Sequence, residues 1–147
     1  MKKTGQSLTL VLLLLSLTGC ASFERDWRHA LVQPPARTAT PAGPWKGTWL
    51  SHPSGHTGEL RCLVTEKATG RYEFRFKATY WKVFRYSYSV EMPVQCDHAE
   101  SCNFKGSEHL GLLAGGTYHY EGSIAGTNLT ATYRCKIDHG IFQMSRP

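Results

Sequence analysis

From Trp45 onward, apolar and polar residues alternate with a period of two, which marks half-buried β-strands. Tyr72, Phe74, Phe76, Ala78 and Tyr80 alternate with Arg71, Glu73, Arg75, Lys77 and Thr79. Phe84, Tyr86, Tyr88, Val90 and Met92 follow with the same pattern, against Arg85, Ser87, Ser89 and Glu91. Shorter runs centre on Leu60-x-Cys62-x-Val64, on Tyr118 to Ile124 and on Leu129 to Cys135. Weaker ones lie at 45–51, 101–107 and 140–146. Short turns such as Ala68-Thr69-Gly70 and Ala125-Gly126-Thr127 join them, and helical periodicity is absent here.

Eight short strands in sequence order predict an all-β, eight-stranded antiparallel meander barrel, because closure removes exposed strand edges. A two-sheet β-sandwich is the alternative. All seven tyrosines have inward parity. An eight-stranded barrel is just wide enough for side chains to fill it. A packed or nearly packed interior is therefore expected ahead of a large ligand cavity.

The beginning of the chain reads differently. Lys2 and Lys3 precede the apolar run Leu8 to Leu17, which is too short for a spanning helix. Leu17-Thr18-Gly19-Cys20 then resembles the lipobox of bacterial lipoproteins. That resemblance implies a signal peptide over 1–19, acylation of Cys20 and, with Ala21 after it, sorting to the outer membrane facing the periplasm. Acyl chains would supply the membrane affinity. Residues 20–44, with Pro34, Pro35, Pro41 and Pro44, read as an extended tether ahead of a 45–147 barrel. Phe23, Trp27, Leu31 and Val32 offer a short amphipathic turn, but an irregular linker is favoured. The formal charge of +6 falls to +4 when Lys2 and Lys3 leave with the signal, which is not a nucleic-acid footprint.

Trp45-Lys46-Gly47-Thr48-Trp49 resembles the Gly-x-Trp that opens lipocalin and calycin barrels. Arg146 resembles the Arg that packs across that Trp. Together with Asp138 to Pro147, Trp45-Lys46-Gly47 is similar to a group of small bacterial lipoproteins of unassigned function. The resemblance implies a barrel and brings no activity.

In a meander, the odd-numbered turns share one mouth. It collects His52, His56, Trp81, Lys82, Glu108, His109, Lys136, Asp138 and His139, with the apolar, Gly-rich segment 110–116 as a lid, a partner surface or a cap. The tether leaves from the other end, so this mouth can point away from the membrane. Tyr80, Tyr86, Tyr118, Trp81, His52, His56, His109 and His139 are the candidate ligand contacts. His52-x₃-His56 spans a Pro-Gly loop and lacks the face-to-face geometry of a strong zinc motif, so no metal site is assigned. A His–Asp pair with Ser51 or Ser54 imitates a hydrolase triad without a nucleophile elbow, so no catalytic residue is assigned. No cofactor is implied. Arg71, Arg75, Lys77, Lys82 and Arg85 form an outward face, read as solvated.

Cys96 and Cys102 flank one hairpin turn and are expected to form a disulfide in an oxidising compartment. Cys62 and Cys135 share inward parity on strands three steps apart, so a bond between them requires a flattened barrel and stays open. The expected function is an envelope-anchored binding module for a small apolar or aromatic ligand, or for an envelope protein or glycan. An inhibitor reading rests on similarity to the periplasmic lysozyme inhibitors, whose Ser-Gly-x-x-Tyr signature Thr69-Gly70-Arg71-Tyr72 matches only loosely. An enzyme ranks third.

Overall fold

The structure, a computed structural model, describes residues 22–33, 40–97 and 101–147. The proposed signal peptide and Cys20 lie outside these residues. The chain forms two compact units, divided between Pro34 and Pro35.

In the first unit, residues 22–32 are helical rather than an irregular linker. The spacing of Phe23 and Trp27 puts both rings on one helical face, and they stack with centroids 5.9 Å apart. The expected tether is thus partly helix.

In the second unit the strands are β1 (Gly43–Ser51), β2 (Thr57–Ala68), β3 (Arg71–Tyr80), β4 (Phe84–Asp97), β5 (Ser101–His109), β6 (Thr117–Ala125), β7 (Asn128–Arg134) and β8 (His139–Ser145). Each pairs antiparallel with the next, and β8 returns to β1, so the sheet is a closed barrel and not a sandwich. The inward residues form one core drawn from Trp45 through Met144. Bulky side chains face small partners: Gly122 makes room for the Phe104 ring, and Gly106 for the Met92 thioether. Lys77 departs from the expected solvated outer face of β3, since it is outward in parity yet only 4% exposed.

One seam is incomplete. β4 pairs with β3 from Phe84 to Pro93, but the β4–β5 ladder covers only Val94–Asp97. Pro93 has no N–H to donate, and the ladder stops beside it. The upper half of β4 is left exposed, with Phe84, Tyr86 and Ser87 open to solvent.

The barrel's other end is closed by Trp45. Its ring is fully buried, its Nε1–H donates to the Pro41 carbonyl at 2.9 Å, and the Arg146 guanidinium lies 3.7 Å over it. Arg146 therefore packs on Trp45 and not on Trp49, the Trp of the Gly-x-Trp pattern. Lys46 is paired with Ser145, which places Trp45 beside Arg146; Trp49 pairs opposite Phe142, nearer the mouth.

Cys96 and Cys102 are bonded across the β4–β5 hairpin, stapling its closed-end tip. So short a loop gains about 2 kcal/mol from the cross-link. Cys62 and Cys135 remain free thiols. Cys62 sits mid-strand opposite Trp45 and Phe76, whereas Cys135 follows β7 at the mouth, so the second disulfide does not form. Burial pushes the Cys62 thiol well above its usual range and leaves it inert.

Candidate functional site

The interior is packed toward the closed end and open toward the mouth. A cavity of about 300 Å³ lies there. Its walls come from Trp49 on β1, Tyr80 on β3, Tyr86 and Tyr88 on β4, Tyr118 on β6 and Tyr133 on β7. Phe142 and Ala78 complete the sides, and Leu110 and Ala114 of the β5–β6 loop overhang them. The alternation explains the concentration of rings: one parity of each strand faces inward, and this sequence places tyrosine there on five occasions near the mouth. Neighbouring rings brace one another. Trp49 and Tyr80 have centroids 4.4 Å apart, and Tyr133 lies 5.0 Å from Phe142.

Asp138 is the ionisable acid of this cavity. The β7–β8 turn closes with the Cys135 N–H donating to the Asp138 carbonyl, which turns the side chain inward. Its Oδ1 accepts from the Ser51 hydroxyl at 2.7 Å and the His139 backbone N–H at 2.8 Å. Its Oδ2 accepts from the Tyr133 hydroxyl at 3.1 Å. Burial, and next the Asp138 charge, raise the Tyr80 and Tyr133 phenols. Burial, then Cys135 and Asp138, raise Tyr118. Burial also raises Tyr88 and Tyr120. All these phenols are consequently protonated and neutral across the physiological range. The buried Tyr120 hydroxyl meets no partner in strict hydrogen-bond geometry, and its approach to the Tyr88 hydroxyl offsets part of the rise that burial causes in its phenol.

Of the expected contacts, Tyr80, Tyr86 and Tyr118 line the cavity. Trp81, His52, His56, His109 and His139 sit on the rim outside it. The His52 and His139 rings meet edge to face at 5.6 Å, His56 does the same with Trp81 at 5.8 Å, and His109 Nδ1 lies 3.2 Å from the Thr117 hydroxyl. Among the described residues, no three His, Cys, Asp or Glu side chains gather as a metal site. Ser51 donates directly to Asp138 with no imidazole between them, so the triad geometry is not formed. Trp49, Tyr88, Tyr133, Asp138 and Phe142 were not among the expected ligand contacts. For Trp49, Tyr88, Tyr133 and Phe142, inward parity and their strands' shared mouth are the signals that could have found them; Asp138 lies in the β7–β8 turn, where parity gives no such signal.

Compared with family models, curated proteins and solved structures, the chain gives no match. What the site does must be argued from its own chemistry.

A second depression of about 580 Å³ lies on the outer wall of β4 to β8, lined by outward residues such as Gln95, Asn103, Glu121 and Thr132. It is larger and more open than the mouth cavity, with a wall of mixed polar and apolar character, and among the described residues it has no convergent hydrogen-bonding centre comparable to Asp138.

The mouth also carries an apolar rim. Trp81, Val83 and Phe84 at the β3–β4 turn, Leu112 and Leu113 on the β5–β6 loop, and Ile137 at the β7–β8 turn are all largely exposed. The β3–β4 turn is strained as well. Trp81 (φ 46°) and Lys82 (φ 64°) both adopt left-handed backbone, and the Val83 N–H donates back to the Tyr80 carbonyl at 3.1 Å. That is the geometry of a type I′ turn, which favours Asn-Gly, and each ordinary residue there costs about 1–2 kcal/mol. Replacing the pair (Trp81→Asn with Lys82→Gly) is expected to stabilise the barrel by about 2 kcal/mol. Thermal unfolding reads this as a midpoint raised by about 10 °C. An unchanged or lowered midpoint would show that the turn stores no strain.

Proposed function

We propose that the protein is an envelope-anchored lipoprotein whose barrel binds a small, largely aromatic or apolar ligand in the mouth cavity. The observation that carries this reading is the cavity itself: it is concave, ring-lined and fitted with one convergent polar centre at Asp138. The anchoring part of the proposal rests on Leu17 to Cys20 in the sequence. A volume near 300 Å³ suits a compact molecule of one or two rings and not a phospholipid.

Benzyl alcohol is a suitable neutral probe, followed by saturation-transfer NMR on the full chain in a non-ionic detergent with empty micelles as the blank. Saturable binding is expected. Ala114→Phe, which fills the cavity from the overhanging loop, should weaken it by about tenfold or more, the loss expected when bulk occupies a ligand's space. Equal binding by wild type and Ala114→Phe would place the ligand elsewhere.

The rim supports a second reading, in which the mouth contacts an envelope protein. Its support is the cost of keeping Trp81 and Lys82 where Asn-Gly would fit better, since strain of this kind collects at functional positions. Under this reading the Trp81→Asn, Lys82→Gly variant keeps its affinity for benzyl alcohol and loses its partner.

A further inference from the structure

We infer that the mouth cavity selects organic cations, a deepening that rests on its being a ligand pocket. Among the described residues, seven of the lining side chains are aromatic and none is Lys, Arg or His. Among these described lining residues the one charged group is Asp138. Its three donors, the Ser51 hydroxyl, the Tyr133 hydroxyl and the His139 backbone N–H, are all neutral. They hold the carboxylate in place and leave its charge uncompensated by any cation lining the cavity. The carboxylate shares this one cavity with Tyr80 on β3, Tyr118 on β6 and Tyr133 on β7, the last within hydrogen-bond distance of it.

Ring faces add to the same field. The face of an aromatic ring is negative, and a cation within about 6 Å of the centroid is attracted to it. The phenols are neutral, so their oxygens accept hydrogen bonds without adding charge. An anion would meet the Asp138 carboxylate and the ring faces with no compensating donor cation. A neutral hydrocarbon would fit but leave the carboxylate unused. A compact ammonium, quaternary or primary, carried on a small apolar or aromatic body satisfies both halves of the site. Tyr80 and Tyr86 are each 40% exposed, and the unpaired upper half of β4 leaves the way in open.

The test compares three probes of similar size on the full chain in non-ionic detergent, by calorimetric titration against empty micelles: benzyltrimethylammonium, its neutral isostere neopentylbenzene, and phenylacetate. The cation is expected to bind at least about tenfold tighter than the isostere, and phenylacetate weakest. Asp138→Asn should remove most of that preference while retaining binding of neopentylbenzene. Tyr86→Leu keeps the apolar wall but removes one ring face, and should weaken the cation more than the isostere; it decides the matter if Asp138→Asn does not fold. Equal affinity for cation and isostere, or a preference untouched by both variants, overturns the cation inference and leaves the pocket standing. Binding of none of the probes, benzyl alcohol included, overturns the pocket and the inference together.

Discussion

Gly140→Ala is expected to lower barrel stability by about 3 kcal/mol, at the upper end of what overpacking costs. Gly140 stands at the start of β8, paired with Ser51 on β1, where the sheet closes on itself. A Cβ built there collides with the Leu50 carbonyl oxygen and falls 2.8 Å from the Tyr133 hydroxyl. The first obstacle is backbone and cannot swing away as a flexible side chain would. Gly47, farther along the same seam, is similar: its Cβ meets the Gln143 carbonyl and comes within 2.6 Å of the Met144 Cα. The β1–β8 strands therefore approach one another through glycine, and a methyl group must push them apart. A loss of 3 kcal/mol corresponds to a fall of about 12–24 °C in the unfolding midpoint of a domain of this size. Because Tyr133 is the second obstacle, its bond to Asp138 is disturbed as well, and the probe affinity should fall along with the midpoint. Thr130→Ala, at an exposed position of β7, serves as the control and should shift the midpoint little. A midpoint for Gly140→Ala within about 2 °C of wild type would show that the seam does not need glycine.

The strands were legible because their signal is local. Alternation in Tyr72 to Tyr80 or in Phe84 to Met92 needs no partner to be read, and sequential hairpins left a meander as the simplest closure. Cys96 with Cys102 was legible for the same reason, being two positions across one hairpin. The helix at residues 22–32 was not, because the surrounding prolines pointed toward extended chain while Phe23, Trp27 and Leu31 hold a four-residue spacing. Cys62 and Cys135 could not be settled from parity, which gives a side chain's direction but not its height in the barrel.

The site was half legible for a related reason. Tyr80, Tyr86 and Tyr118 could be placed at the mouth by parity and turn number together. His109 ends β5 and His139 begins β8 with outward parity, while His52 and His56 lie in the β1–β2 turn, where parity is not fixed; all four fall on the rim. The inward course of Asp138 depends on the tight Cys135–Asp138 turn and on hydrogen bonds to Ser51 and Tyr133, which come from opposite ends of the domain sequence. No alternation pattern carries that information. Nor does it carry the break beside Pro93, which arises where a missing N–H meets one particular neighbouring strand.

Trp45→Ala is expected to cost about 4 kcal/mol, within the range for emptying a buried tryptophan site. The ring is fully buried and plugs the end of the barrel away from the cavity. Removing it also orphans the Pro41 carbonyl and leaves the Arg146 guanidinium without the surface beneath it. Arg146 does more than cover the ring. It donates to the Thr40 carbonyl at 2.6 Å and the Pro44 carbonyl at 3.3 Å, tying the approach to β1 onto the far end of β8. Arg146→Ala should therefore cost about 2 kcal/mol through the lost cation–π contact and hydrogen bonds. The two losses should not add, because they remove one shared contact: the double variant is expected to be about 1 kcal/mol more stable than the sum of the single effects implies. Trp45→Phe separates shape from polarity, keeping a ring under Arg146 while deleting the donor to Pro41. Denaturant unfolding of the four proteins measures the cycle, and additive losses would mean that Arg146 and Trp45 stabilise the closed end independently. Probe binding at the mouth should survive in Arg146→Ala, since the packed core between Leu60 and Met144 separates the plug from the cavity.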